Sequence, residues 1–381
     1  MKKFKSGTYV SQGYYKAFIP MMINRSWHID DMEVLRLLSQ ADRQLGRLDM
    51  YSEYVNIDLY ISMHVAKEAT QSSRIEGTQT KVEEAFMAEQ DIAPGLRDDW
   101  QEVQNYIRAM NEAAARLDQL PFSSRLIKQT HKALMSGVRG EHKLPGAFRG
   151  SQNWIGGATI NDAVFIPPPH TEVSKLMGDM EKLANDNENP LPDLLKIGLI
   201  HYQFETIHPF LDGNGRVGRL LIPLYLVSKG LLKRPILYLS DFFERHRQLY
   251  YDNLMRVRTH HELNQWFKFF LTGVIETAKQ GVRTFDDILR LQKSMDERLK
   301  FLGKRAADAH DLIQHMYRRP IVDVADVMRV IGKSNVSAYK LIADLEKAKI
   351  LQEVTGSQRN RVYLFKEYLD IFRSTSDENH G

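Results

Sequence analysis

The chain reads as an all-α protein with one β-hairpin in its middle and a C-terminal helix-turn-helix followed by a second hairpin. Three observations predict this class. Apolar residues recur at three- and four-residue spacing over most of the length, the period of one helix face. Residues 148–169 break that period with two short β-prone runs around a turn. Residues 305–381 change again, to two helical runs and then two β-like runs around a basic turn.

In order, residues 30–50 and 53–70 carry helical spacing, as do Asp98–Leu117, Ser123–Met135 and His170–Ala184. The cluster Asn185-Asp186-Asn187-Glu188-Asn189-Pro190 breaks the helical run. Asp193–Phe204 resumes it and leads into a glycine-rich stretch, and residues 243–258 and 261–296 are helical again. The hairpin runs from Phe148 to Ile166 and is ended by Pro167-Pro168-Pro169. A lone hairpin on a helical body has an unpaired edge that can take an added strand. It can equally serve only as a cover for core, and the pattern leaves both open.

At the C-terminus, Ile321–Ile331 and Ser334–Leu351 read as two helices joined by Gly332-Lys333, with β-like runs from Glu353 to Leu364. That is the winged-helix pattern. Arg359 and Arg361 on the wing, with Lys340, Lys347 and Lys349 on the second helix, are placed to meet nucleic-acid phosphates. Such modules also serve as protein-interaction and dimer units, so DNA and a homodimer both stand as partners. The boundary falls near Leu302-Gly303-Lys304-Arg305.

Composition narrows the function classes. A length of 381 residues allows two or three domains. The net charge of +4, from 52 basic and 48 acidic residues, argues against a protein dominated by nucleic-acid binding, while a local basic patch stays open. There is no cysteine, so disulfides, thiolate metal sites and cysteine nucleophiles are excluded. The basic start Met1–Gly7 has no apolar stretch behind it of signal-peptide length, and Lys196 interrupts the short apolar run Leu194–Ile200. These features predict a cytoplasmic protein with no membrane segment.

The chemistry is concentrated in His208-Pro209-Phe210-Leu211-Asp212-Gly213-Asn214-Gly215-Arg216-Val217-Gly218-Arg219, followed by the apolar run Leu220–Val227. This order describes a loop opening into a helix, whose unpaired N–H groups and dipole attract anions. Gly213 and Gly215 let the backbone approach a phosphate. Arg216 and Arg219, three apart, share a helix face and suit a di- or triphosphate. Asp212 offers an oxygen ligand for Mg²⁺, which accompanies nucleotide phosphates. His208 can take a proton near neutral pH.

The string fits HPFx(D/E)GNGRxxR without a departure, and from about residue 30 to residue 275 the chain resembles the Fic family. The resemblance implies an all-α core with one hairpin flap, and transfer of AMP from ATP to a Ser, Thr or Tyr hydroxyl of a target protein. It implies that His208 deprotonates the hydroxyl and that Asp212 holds Mg²⁺. Asn214, with the amides of Gly213 and Gly215, would hold the α-phosphate. Arg216 would grip the phosphates, Arg219 the γ-phosphate, and Phe210 would be a buried anchor. The flap 151–166 would align the target by strand addition, and self-modification is a further outcome. Ser72-Ser73-Arg74-Ile75-Glu76-Gly77 resembles the family's inhibitory motif, which would set Ser72 and Glu76 against Arg219. As a bare sequence it also reads as a helix ending at Gly77. Tyr250, of the pair Tyr250-Tyr251, is the candidate for the adenine pocket; core packing is the competing reading.

The implied division is 1–115 with the inhibitory helix at about 60–77, a catalytic core 116–275, a helical linker 276–304 and a winged helix 305–381. Kinase-type relatives replace the second glycine of GNG and lack the last arginine, so Gly215 and Arg219 favour AMP transfer. Removal of AMP, transfer of another phosphate-linked group, and a DNA-binding regulator that only senses nucleotide remain as alternatives.

Overall fold

The structure is a computed structural model that describes residues 4–137, 142–356 and 361–373. It opens with a feature the periodicity did not announce, an antiparallel hairpin of β1 (Gly7–Ser11) and β2 (Lys16–Pro20). Helix α1 (Met32–Tyr54) follows, its first turn capped by the Asp31 carboxylate, which accepts from Glu33 N and Val34 N at 3.0 and 3.2 Å. The expected helix 53–70 is displaced: α1 runs on to Tyr54, and α2 (Ile61–Ile75) starts only after a break.

Next come α3 (Arg97–Arg116), α4 (Ser124–Leu134), α5 (His170–Asn185), α6 (Asp193–Ile207) and α7 (Asn214–Ser228). The pattern over 243–258 resolves into two helices, α8 (Ser240–Arg245) and α9 (Arg247–His260), and α10 spans Leu263–Leu299. Every residue of α6 from Leu194 to Ile207 is buried, so this helix is the axis of the core. It packs against α5, α7 and α10, while α1 lies along α10.

Residues 148–169 correct the expectation of a two-stranded hairpin. Only one β-bridge forms, Ile155 with Phe165. Gly156 and Gly157 turn the chain with φ of 70° and 75°, a short 3-10 turn occupies Ile160–Asp162, and the Asp162 carboxylate accepts from Ala158 N and Thr159 N. The three prolines supply no N–H to extend a ladder. The flap is therefore a tied loop. Its end is also partnered, because Phe18 N on β2 donates to Ile166 O at 3.0 Å.

Beyond α10 the chain kinks at Gly303 (φ 57°, ψ −121°). Then come α11 (Ala306–Arg318), β3 (Ile321–Asp323), α12 (Val324–Ile331), α13 (Asn335–Lys347), β4 (Gln352–Glu353), β5 (Val362–Leu364) and α14 (Lys366–Phe372). The three strands form one antiparallel sheet in the order β3-β5-β4, with the helices α12 and α13 between β3 and β4 in the chain. Two details differ from the sequence expectation. Ile321–Asp323 is strand because it pairs with Val362–Leu364, and Asp323 then caps α12. Lys349 lies past the end of α13, in a left-handed turn (φ 57°). Arg359 lies outside the described residues. Tyr317 of α11 and Tyr368 of α14 pack on Tyr60 just ahead of α2, so the C-terminal unit shares the main core. Among the described residues no helix is long and apolar enough to cross a membrane.

Candidate active site

The loop from His208 to Gly213 joins α6 to α7, and its shape is fixed from several sides. Helix α6 ends because His208 turns left-handed (φ 50°), its N–H still bonded to Phe204 O at 2.9 Å. Buried Arg149 reaches in from the flap base: its Nε donates to His208 O at 2.9 Å and its Nη2 to Pro168 O at 2.6 Å. Asn153 Nδ2 donates to Phe210 O at 3.0 Å. The Asn214 side chain closes the loop on itself, accepting from Phe210 N and donating to Phe210 O, both at 2.9 Å. The side chain is thus tied into the loop through Oδ1 and one of its two Nδ2 hydrogens, while the residue still lines the cleft.

Phe210 is the buried anchor, stacked on His131 at 3.7 Å between centroids. His131 Nδ1 accepts from Gly146 N at 2.8 Å, so its Nε2 carries the proton toward Asp212 O at 3.0 Å. Burial drives His131 down to about 4, which keeps that neutral tautomer. Gly213 sits at φ 74°, with Met135 Sδ only 2.7 Å from where a Cβ would be.

These elements enclose a cleft of about 570 Å³ that contains His208, Asp212, Gly213, Asn214, Gly215, Arg216, Arg219 and Tyr250 of the motif reading, together with Glu76. That volume suits a nucleotide-sized ligand. Asp212 is exposed at its edge, with Oδ1 accepting from Gly213 N at 2.6 Å. Among the described residues no cluster of three His or acidic side chains could hold a metal by itself. The donor set fits a cation that takes one carboxylate from Asp212 and its other ligands from phosphate and water.

The two arginines share α7 but engage different partners. Arg216 Nη1 donates to Glu102 Oε2 on α3 at 2.9 Å, a pair buried on both sides. Arg219, fully buried, makes three bonds to the end of α2. Its Nε donates to Ser72 Oγ at 2.8 Å, and its Nη2 to Ser72 O at 2.9 Å and to Glu76 Oε1 at 2.6 Å. Glu76 is the residue that ends α2, and its side chain is still 38% exposed to the cleft. Burial opposes its ionisation, but the Arg219 charge and hydrogen bond outweigh that and hold it below the ordinary carboxylate range. Gly215 makes room for it, since a Cβ there would stand 2.3 Å from Glu76 Oε1.

His208 departs from a neutral-pH titration. Burial, then the charges of Arg258 and Arg149, push it down to about 3, so the ring is neutral at physiological pH. Tyr250 lines the cleft but is only 1% exposed, its hydroxyl bonded to His201 Nε2 at 2.9 Å; beside it Tyr251, which also lines the cleft, is 38% exposed. Sequence reading missed Arg149, Glu102, Arg258 and Tyr251. Only Tyr251 had a local signal, as the other half of the tyrosine pair.

Two family models match in tandem, the Fic/DOC family N-terminal model over residues 35–115 and the Fic/DOC family model over residues 121–226. A probable protein adenylyltransferase of Aquifex aeolicus is 30% identical over 151 residues, 39% of this chain and 44% of that protein. Protein adenylyltransferase Fic of Aedes aegypti is 36% identical over 110 residues, 29% of this chain and 19% of that protein. The matched stretch thus spans less than half the length of these curated relatives. Among solved structures, a Fic family protein from Desulfovibrio desulfuricans G20 superposes with a TM-score of 0.57 at 19% identity, covering 90% of this chain and 98% of that one. With the motif loop, the helical core and both family models in agreement, the chain is a Fic domain protein, matching the Fic/DOC models over residues 35–115 and 121–226.

Proposed function

We propose that this chain is a protein adenylyltransferase that moves AMP from ATP to a Ser, Thr or Tyr hydroxyl of a target protein, and that α2 holds it in an inhibited state. The observation that carries the reading is the three-bond clasp of Arg219 by Ser72 and Glu76, set in the same cleft as His208 and the start of α7.

In this reading the phosphate chain lies over the first turn of α7, where main-chain N–H groups and the helix dipole favour anions. The neutral His208 ring takes the proton of the target hydroxyl. The hydroxyl oxygen bonds to the α-phosphorus as the bond to the β-phosphate oxygen breaks, and pyrophosphate leaves. Asp212 would hold Mg²⁺, which when bound neutralises charge on the phosphates. Arg216 is held in place by Glu102, and Tyr250 with the more exposed Tyr251 faces the nucleotide. Arg219 would grip the γ-phosphate only when Glu76 lets go, so the clasp favours a non-productive nucleotide pose.

The test is incubation of the parent and Glu76→Gly with α-labelled ATP, Mg²⁺ and lysate, with His208→Ala in the Glu76→Gly background as control. The reading expects strong labelling by Glu76→Gly and none by the control. Label that arises from γ-labelled ATP instead would assign the site to phosphate transfer.

A further inference from the structure

The cleft contains a carboxyl, Glu205, that neither the transfer chemistry nor the clasp on Arg219 uses. Glu205 lies in the last turn of α6, three residues before His208, and is 6% exposed. Its Oε1 is buried without a hydrogen-bond partner among the described residues. It faces α7 closely enough that a Cβ on Gly218 would stand 2.2 Å from that oxygen. The carboxyl therefore lies along the opening turns of α7 and lines the same cavity as His208 and Gly215.

An acid in this place has two poor options by itself. Ionised, it is a buried charge without a direct partner, which is strongly unfavourable. Arg219 is committed to Ser72 and Glu76, and Arg258 donates to Thr206 Oγ1 and to the Glu205 main chain. Protonated, it carries an O–H that needs an acceptor. Burial pushes Glu205 up to about 7, opposed by Arg219 and Arg258 and assisted by Glu76. The neutral acid is thus well populated at neutral pH and dominant below it.

Building on the reading of this cleft as an ATP site, we propose that Glu205 binds the nucleotide as a neutral acid, its O–H donating to an oxygen of the phosphate chain at the start of α7. Ionisation removes the donor and sets a negative charge against the phosphates. Affinity for ATP should therefore fall as pH rises through the Glu205 midpoint.

The groups that face Glu205 do not blur this window. Glu76 on α2 is held below the carboxylate range. His201 and His208 on α6 are driven to about 3, mainly by burial. Tyr250 and Tyr251 on α9 are raised above the phenol range by burial. Arg219 and Arg258 remain cationic.

The experiment is calorimetric titration of ATP into the full chain without target, between about pH 6 and 8.5, for the parent and Glu205→Gln. Glutamine keeps an N–H donor and cannot ionise, and the nucleotide's own titration is common to both proteins. Relative to Glu205→Gln, the parent should lose affinity with rising pH, approaching about tenfold per pH unit above the midpoint. Equal pH slopes in the two proteins would overturn the proposal. If Glu205→Gln does not fold, carboxyl ¹³C titration of the parent replaces it: ATP should raise the Glu205 midpoint, and an unmoved midpoint overturns the idea. Because binding is read without transfer, loss of adenylyl transfer would leave this result standing. Equal slopes would leave the adenylyltransferase reading standing.

Discussion

His208 is the residue on which the chemistry turns, and its surroundings set what it can do. Burial beside Arg258 and Arg149 keeps it neutral, so the base is available without first losing a proton. Its ring resonances in the nucleotide-free protein should therefore not titrate near 6.5, and should move only below about pH 4, which a ¹H–¹⁵N imidazole titration would check. His208→Ala should abolish transfer while leaving ATP affinity nearly unchanged, because the base acts on the hydroxyl. Retained transfer at the parent rate would refute that role. The His208–Arg219 stretch was legible in the sequence because its chemical groups are contiguous. Ser72 and Glu76 were legible by their four-residue spacing beside that stretch. Arg149, Glu102 and Arg258 were not, since each reaches the site from a distant element and nothing local marks its destination. Asn214 was legible as a motif residue, but its commitment to Phe210 is a matter of loop geometry. That Tyr251 is the more exposed of the tyrosine pair depends on the rotational phase of α9, which a two-residue aromatic pair does not define.

At the scale of elements, the start of α7 is braced by two neighbours, α3 through Glu102 and α2 through Ser72 and Glu76. The two braces differ in kind. The Arg216–Glu102 pair is buried on both sides, with side chains 6% and 11% exposed, so removing the acid takes the buried guanidinium's carboxylate partner away. Glu102→Ala should destabilise the fold by about 3–5 kcal/mol, with a smaller loss for Glu102→Gln, as read from chemical denaturation. A loss under about 1 kcal/mol for Glu102→Ala would mean that the pair is solvated. The α2 brace is half-open to the cleft, which is what a releasable contact requires. Most helices were legible from their period because each buries one face. The flap was not read correctly, because β-prone residues there meet paired left-handed glycines and a proline run that stop a ladder from growing. Strand β3 was read as helix because its pairing partner lies some forty residues downstream, at Val362–Leu364.

The whole molecule carries opposing proton linkages. Three buried histidines, His64, His131 and His201, and the half-buried His208 are driven mainly by desolvation to about 3 or 4. Their folded values lie below the unfolded one, so their contribution is full above about 6.5 and is lost as pH falls. Glu68 and Glu205 are raised by burial to about 7, so theirs is full below about 4.5 and is lost as pH rises through 7. With four groups against two, stability should climb from pH 4 to a maximum at about pH 6–7 and then decline slightly. Melting temperatures across that range would check this, and a maximum below about pH 5 would contradict it. The central claim, however, is that α2 restrains Arg219. The direct measurement is the initial rate of AMP incorporation by the parent, Glu76→Gly, Arg219→Ala and the double variant. Freeing Arg219 should raise the rate by roughly tenfold for each 1.4 kcal/mol recovered, and the double variant should lose that gain. Equal rates for the parent and a folded Glu76→Gly, or a gain that survives without Arg219, would contradict it.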